Sequence, residues 1–214
     1  MNRRWVFRAA QTALVAAALV PLAVLAAGAL RGQLGANPIE TVEHRTGDWT
    51  LRFLLAALAV TPLRRFSGWN GVIRFRRTLG LIAYGYACVH FLAYVGLDEG
   101  LDLPSIADDI LKRPYVTVGF TALCLLTPLA FTSTAGWIRR LGGRRWNALH
   151  RLIYVAGAAA ILHYLWEVKG DQLTPVYYAL VLVLLLALRV AASHRVATRA
   201  YESPPPLSAS STSR

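Results

Sequence analysis

Six long apolar runs, at 6–30, 49–61, 79–95, 115–131, 146–166 and 175–190, follow one another too closely for a water-soluble core to fit between them. A helix crossing the hydrocarbon of a bilayer takes about 20 apolar residues, so six crossings take about 120 positions. That is close to the hydrophobic fraction of this 214-residue chain, which is 56%. Charged residues make up 16% of it, against roughly 25% in an ordinary soluble domain. Backbone polar groups in lipid must be satisfied within the segment, which selects helices. The expected fold is therefore an all-α polytopic membrane protein with six transmembrane helices. A soluble dehydrogenase or hydrolase domain is excluded, because no stretch remains that could bury a separate core. The first run follows Arg3 and Arg4 and also has features of a secretory signal, with small residues at Ala27 and Ala29. Its length, and the five runs after it, favour an uncleaved first span.

The net charge of +12 could suggest a nucleic-acid binder, but its distribution points to a lipid surface. Segment 62–78 carries Arg64, Arg65, Arg74, Arg76 and Arg77 with no acid, and segment 132–145 carries Arg139, Arg140, Arg144 and Arg145 with none. Segment 31–48 instead holds Glu40, Glu43 and Asp48, and segment 96–114 holds Asp98, Glu99, Asp102, Asp108 and Asp109. Arginine on alternate connections places both termini and the basic loops in the cytoplasm. Ten of the 11 acids then lie outside. Arginines at helix ends meet anionic headgroups, so nucleic acid is not an expected partner. The six-span unit is expected over 1–200, with a disordered, Pro- and Ser-rich cytoplasmic tail over 201–214. Within the acidic connection, 106–111 reads as a short interfacial helix. The two cysteines, Cys88 and Cys124, fall inside apolar runs, which argues against a disulfide. There is no C-x-x-C-H for covalent haem attachment.

Among five histidines, His90 and His163 fall within hydrocarbon, in the third and fifth runs, and His150 sits near the start of the fifth. An imidazole facing lipid is costly, so each should face the bundle with a partner. Both runs head outward from the cytoplasm. At about 1.5 Å per residue, His90 and His163 reach comparable depth in the outer half of the membrane. A macrocycle held edge-on between two helices takes one axial imidazole from each, and two imidazoles leave no open iron position, which suits electron transfer. The competing reading makes the pair interhelical hydrogen-bond partners in a transporter or scaffold. His150 lies 13 residues before His163, which is about 3.6 turns, so the two cannot share one face of a straight helix. Thirteen residues before His90 stands Arg77, which cannot ligate iron. Arg77 is either a headgroup anchor or a clamp for a haem propionate or flavin phosphate. His44 and His194 read as solvated. Trp146, Trp166, Tyr115 and Tyr177 are placed as interface anchors.

Several stretches resemble a known family. They are Gly35-Ala-Asn-Pro-Ile-Glu40, His44-Arg-Thr-Gly-Asp-Trp49, Thr61-Pro-Leu-Arg-Arg65, Arg77-Thr-Leu-Gly80, His90-Phe-Leu-Ala-Tyr94, Lys112-Arg-Pro-Tyr115, Gly119-Phe120, Pro128-Leu-Ala-Phe-Thr-Ser133 and Trp146-Asn-Ala-Leu-His-Arg-Leu-Ile-Tyr154. Together, over roughly 30–190, these resemble the MsrQ (YedZ) family of the ferric reductase-like transmembrane group. The resemblance implies an inner-membrane cytochrome subunit that takes electrons from the quinone pool through haem b. It would deliver them to the periplasmic molybdenum subunit MsrP, which reduces methionine sulfoxide in oxidised proteins. It also implies FMN, for which the sequence offers no motif. Carried onto this chain, His90 and His163 hold the outer haem between the third and fifth helices. His150 faces Arg77 at an inner site that lacks its fourth histidine, so one haem is the safer count. The rivals are a ferric or superoxide-forming reductase, which needs a flavin and nicotinamide module not seen after the last span, and a haem-free transporter or assembly protein.

Overall fold

The structure, a computed structural model, describes residues 3–168, 170 and 173–202, with side chains described over 5–168, 170 and 173–191. Eight α-helices account for nearly all of it: α1 (Arg3–Leu30), α2 (Pro38–Ser67), α3 (Ile73–Ala93), α4 (Leu103–Lys112), α5 (Pro114–Phe131), α6 (Ala135–His150), α7 (Leu152–Glu167) and α8 (Leu173–Glu202). Among the described residues, five segments are long and apolar enough to cross a membrane: Trp5–Leu30, Asn70–Asp98, Pro114–Phe131, Ala135–Glu167 and Leu173–Ala191. The chain is thus an all-α polytopic membrane protein. The second expected span, at 49–61, is not among the five, although it lies within the 30-residue α2.

Local chemistry sets the ends of α2. Asn37 accepts the backbone N–H of Glu40 at 3.3 Å and its amide reaches the Glu40 carboxylate at 2.8 Å, with Pro38 at the first helical position. This satisfies amides that a helix start leaves without partners. At the other end Gly68 takes φ 68°, a left-handed cap that suits glycine, and its N–H returns to the carbonyl of Arg64.

α2 is the least apolar of the long helices and the most enclosed. Leu54 is fully buried beside Ala83 of α3 and Ala156 of α7, both also fully buried. Small residues at these crossings let backbones approach closely, which is how helices associate where lipid and side chain are equally apolar. Because protein surrounds α2, it can carry Thr46 and Thr50, whose hydroxyls donate to the carbonyls of Val42 at 2.8 Å and Thr46 at 2.9 Å. A second cluster joins Leu51, Leu55 and Leu58 to Ile161, Tyr178 and Leu182 of α7 and α8. α1 sits outermost, tied by the Tyr86 hydroxyl, which donates to the carbonyl of Ala18 at 2.5 Å. Exposed Leu19, Val20 and Val24 on α1, and Val183 and Leu184 on α8, form the surface that suits lipid.

Two details differ from the sequence expectation. α3 starts at Ile73, so Arg74, Arg76 and Arg77 are helical rather than loop residues. The expected fifth span at 146–166 is two helices: α6 is kinked at Gly142 (φ 72°, ψ 151°) and hands over to α7 at Arg151. α3 ends in a π-helical turn, Tyr94–Asp98. The amphipathic α4 follows, with Ile106 and Asp109 buried and Leu103 and Leu111 exposed. Cys88 and Cys124 are free thiols. The tail from 203 onward lies outside the described residues, as does the side chain of His194.

Candidate functional site

The ring centres of His90 on α3 and His163 on α7 stand 6.1 Å apart. Both rings line one cavity of about 310 Å³ enclosed by α2, α3, α5 and α7. Cofactor pockets run from roughly 300 to 1,000 Å³. Its walls are apolar, with Ala87, Phe91, Phe120, Leu123, Leu126 and Ala160. Four acids, Glu43, Asp48, Asp98 and Glu167, also line it.

Each imidazole has one nitrogen committed. Nδ1 of His90 lies 3.0 Å from the carbonyl of Glu43 and 3.3 Å from the hydroxyl of Thr46. Nδ1 of His163 lies 2.7 Å from the carbonyl of Tyr115, whose ring also stacks on it at 6.3 Å. A carbonyl can only accept, so in each neutral ring Nδ1 carries the proton and Nε2 keeps its lone pair. Neither Nε2 has a hydrogen-bond partner among the described residues. A ring whose other N–H is held by a backbone carbonyl is the arrangement that metal-ligating histidines adopt.

The spacing provides a further test. Metal–imidazole bonds of about 2 Å on each side of one ion put the ring centres roughly 6 Å apart. The observed 6.1 Å matches. Among the described residues no group of three or more His, Cys, Asp or Glu is arranged to hold a bare metal ion. A pair of neutral imidazoles therefore fits an iron whose other positions are filled by a macrocycle.

The remaining candidates are placed differently. His150, at the end of α6, stacks on Trp146 at 3.8 Å and its Nδ1 donates to the Trp146 carbonyl at 3.1 Å, while its Nε2 is buried without a partner. His150 and His163 lie on either side of the handover at Arg151, and only His163 lines the cavity. Arg77 is exposed on α3 and is not brought to His150; the arginine in electrostatic range of that ring is Arg76. His44, expected to be solvated, is exposed, and it also pairs with Glu167 across the cavity mouth at 3.1 Å, joining α2 to α7.

Sequence reasoning missed the acceptors of the two Nδ1–H groups. They are backbone carbonyls of Glu43 and Tyr115, and a carbonyl carries no side-chain signature. Thr46, three residues beyond Glu43, was the one readable hint.

Comparison with known proteins bears on this geometry. Residues 12–161 match the family model "Ferric reductase like transmembrane component". Three curated relatives bear the name "Protein-methionine-sulfoxide reductase heme-binding subunit MsrQ". The protein from Herminiimonas arsenicoxydans is 52% identical over 176 residues, covering 81% of each chain. That from Rhodospirillum rubrum is 50% identical over 183 residues, 86% of this chain and 88% of the relative. That from Xanthomonas campestris pv. campestris is 50% identical over 206 residues, 92% and 94%. The chain belongs to the MsrQ family, within the ferric reductase-like transmembrane proteins.

Proposed function

We propose that this protein is the haem-binding, electron-transfer subunit of a methionine sulfoxide reductase system, carrying electrons from the membrane quinone pool to a periplasmic molybdenum partner, MsrP. One observation carries the reading: two histidines on different helices line one apolar cavity, each with Nδ1 tied to a carbonyl and Nε2 unengaged. His90 and His163 would be the axial ligands of a haem b lying between α3 and α7, the third and fifth crossings. When bound, haem b supplies one-electron chemistry without bond-making in the substrate.

The chain's own residues do the rest. The carbonyls of Glu43 and Tyr115 fix the tautomer and raise ligand basicity, and the apolar walls exclude water. The pairing of His44 with Glu167 closes the outer rim. At the inner side His150 offers one unpartnered nitrogen beside Arg76, so the haem count proposed is one bis-histidine site, with His150 available to a second group. Exposed Arg77 suits a lipid headgroup. FMN receives no assigned residues in this proposal.

The proposed topology adds α2 as a sixth crossing. Shielded by its neighbours, α2 does not need the apolarity that a lipid-facing span requires. Residues 1–200 then form one unit in the bacterial inner membrane with both termini cytoplasmic. The test is reconstitution of the purified protein in vesicles with a quinol, the molybdenum subunit and a methionine sulfoxide peptide. Reduction of the sulfoxide only when both proteins are present is the expected result. Transfer that does not need this chain would contradict it.

A further inference from the structure

We propose that Gly47 and Gly119, on the two helices that supply no ligand, are positioning residues: each is the empty place that lets a ligand imidazole reach the carbonyl four residues earlier. The inference rests on His90 and His163 being the haem ligands.

The two sides repeat one arrangement. His90 reaches the carbonyl of Glu43, and its ring lies over Gly47; His163 reaches the carbonyl of Tyr115, and its ring lies over Gly119. In a helix every Cα–Cβ bond tilts toward the N-terminus, so a side chain at one position covers the surface of the residue four before it. That carbonyl already accepts the amide of the glycine in the helical ladder. A ring can share it only from the side that a side chain would occupy. Glycine in a helix interior costs about 1 kcal/mol relative to alanine. Neither glycine has a positive φ or a turn that explains it. The His163 ring explains the absence of any side chain at 119, and the His90 ring explains the absence of a branched one at 47.

The two positions differ in tightness. A Cβ on Gly119 would stand 2.8 Å from Nδ1 of His163 and 3.0 Å from its Cγ and Cε1, closer than such contacts occur. This ring cannot swing aside while it keeps the 2.7 Å bond to Tyr115. A Cβ on Gly47 would stand 3.4 Å from Cε1 of His90 and 3.5 Å from Nδ1, which is ordinary contact. Branched carbons beyond that Cβ would enter the ring. Gly80, in the middle of α3, would meet nothing within 4 Å and serves as a control.

The experiment compares Gly119→Ala, Gly47→Ala, Gly47→Val and Gly80→Ala in the full-length protein. It reads bound haem per polypeptide, the low-spin absorbance and paramagnetic resonance signals, and the midpoint potential. In haem-depleted protein, nitrogen NMR of labelled histidine reads the tautomers directly. Gly119→Ala and Gly47→Val are expected to lower haem affinity about tenfold or more, the scale seen when an outer-shell partner of a ligand is lost. Both should shift the low-spin signal, and each should lose the Nδ1–H tautomer of its own histidine. Gly47→Ala and Gly80→Ala should resemble wild type. If Gly119→Ala fails to insert, the step from Gly47→Ala to Gly47→Val decides the matter. Wild-type spectra, potentials and tautomers in both Gly119→Ala and Gly47→Val would overturn the proposal, as would equal losses in Gly80→Ala. A wild-type protein that never binds haem would instead sink the ligand assignment, while the tautomer measurement would still judge the two glycines.

Discussion

Replacing Asp109 with alanine should release α4 from the bundle while leaving the spanning helices folded. Asp109 is 8% exposed although it lies in the acidic connection that contains α4. Its Oδ2 accepts the Tyr94 hydroxyl at 3.2 Å and the Arg113 guanidinium at 2.9 Å. Those bonds tie α4 to the end of α3 and the start of α5, beside Tyr94 and Tyr115 in the cavity wall. A hydrogen bond to a charged group is worth about 1.5–3 kcal/mol, and the lower figure suits the neutral tyrosine. The Arg113 side chain is 52% exposed, so its pairing is screened. About 0.5 kcal/mol is the appropriate share for such an exposed pair. The sum is about 2 kcal/mol, and at 1.4 kcal/mol per decade the local opening constant rises roughly 30-fold. Hydrogen–deuterium exchange across Leu103–Lys112 in detergent or nanodiscs measures this opening, with α5 as internal reference. Tyr94→Phe should give about a tenfold rise on the same reasoning. Exchange in α4 within about threefold of wild type for Asp109→Ala would refute the claim that this buried acid anchors the helix.

Other perturbations separate packing from topology. Leu54→Ala removes a fully buried side chain between α2, α3 and α7. Unfolding of the purified protein should then show a loss of about 2–5 kcal/mol. Tyr86→Phe removes the hydroxyl bond from α3 to α1, with a loss of about 0.6 kcal/mol and at most about 1.7 kcal/mol on the scale of bonds between membrane helices. Alkaline phosphatase fused after Asn37 or Ser105 should be active and the same enzyme fused after Arg214 inactive; the reverse would invert the topology.

Much of this architecture was legible because lipid imposes a simple rule. Apolar runs had to be helices, and the structure makes them so. Residues 38–48, expected as a connection, are instead the first turns of α2, started by Asn37 and Pro38. The pairing of His90 with His163 followed from equal advance along two helices running the same way, and the structure brings those rings together. What stayed hidden depends on surroundings that a sequence window does not display. α2 has the composition of a poor span because its contacts are protein, so Thr46, Thr50 and Asp48 are tolerated there. The handover at Arg151 falls inside what reads as one apolar run. The choice of Arg76 over Arg77 beside His150 turns on about 100° of helix rotation, a difference set by packing. The carbonyls that hold the two imidazoles have no side-chain signal, and the glycines beneath become meaningful only once the rings are seen above them.

The most direct test is the reduced-minus-oxidised visible spectrum of the purified protein, with haem quantified per polypeptide, for wild type and for His90→Ala, His163→Ala and His150→Ala. A low-spin b-type spectrum in wild type, lost in the first two variants and retained by His150→Ala for the outer site, is the predicted result. A full low-spin spectrum in either His90→Ala or His163→Ala, or a folded, inserted wild-type protein that takes up no haem when supplied with it, would contradict the assignment.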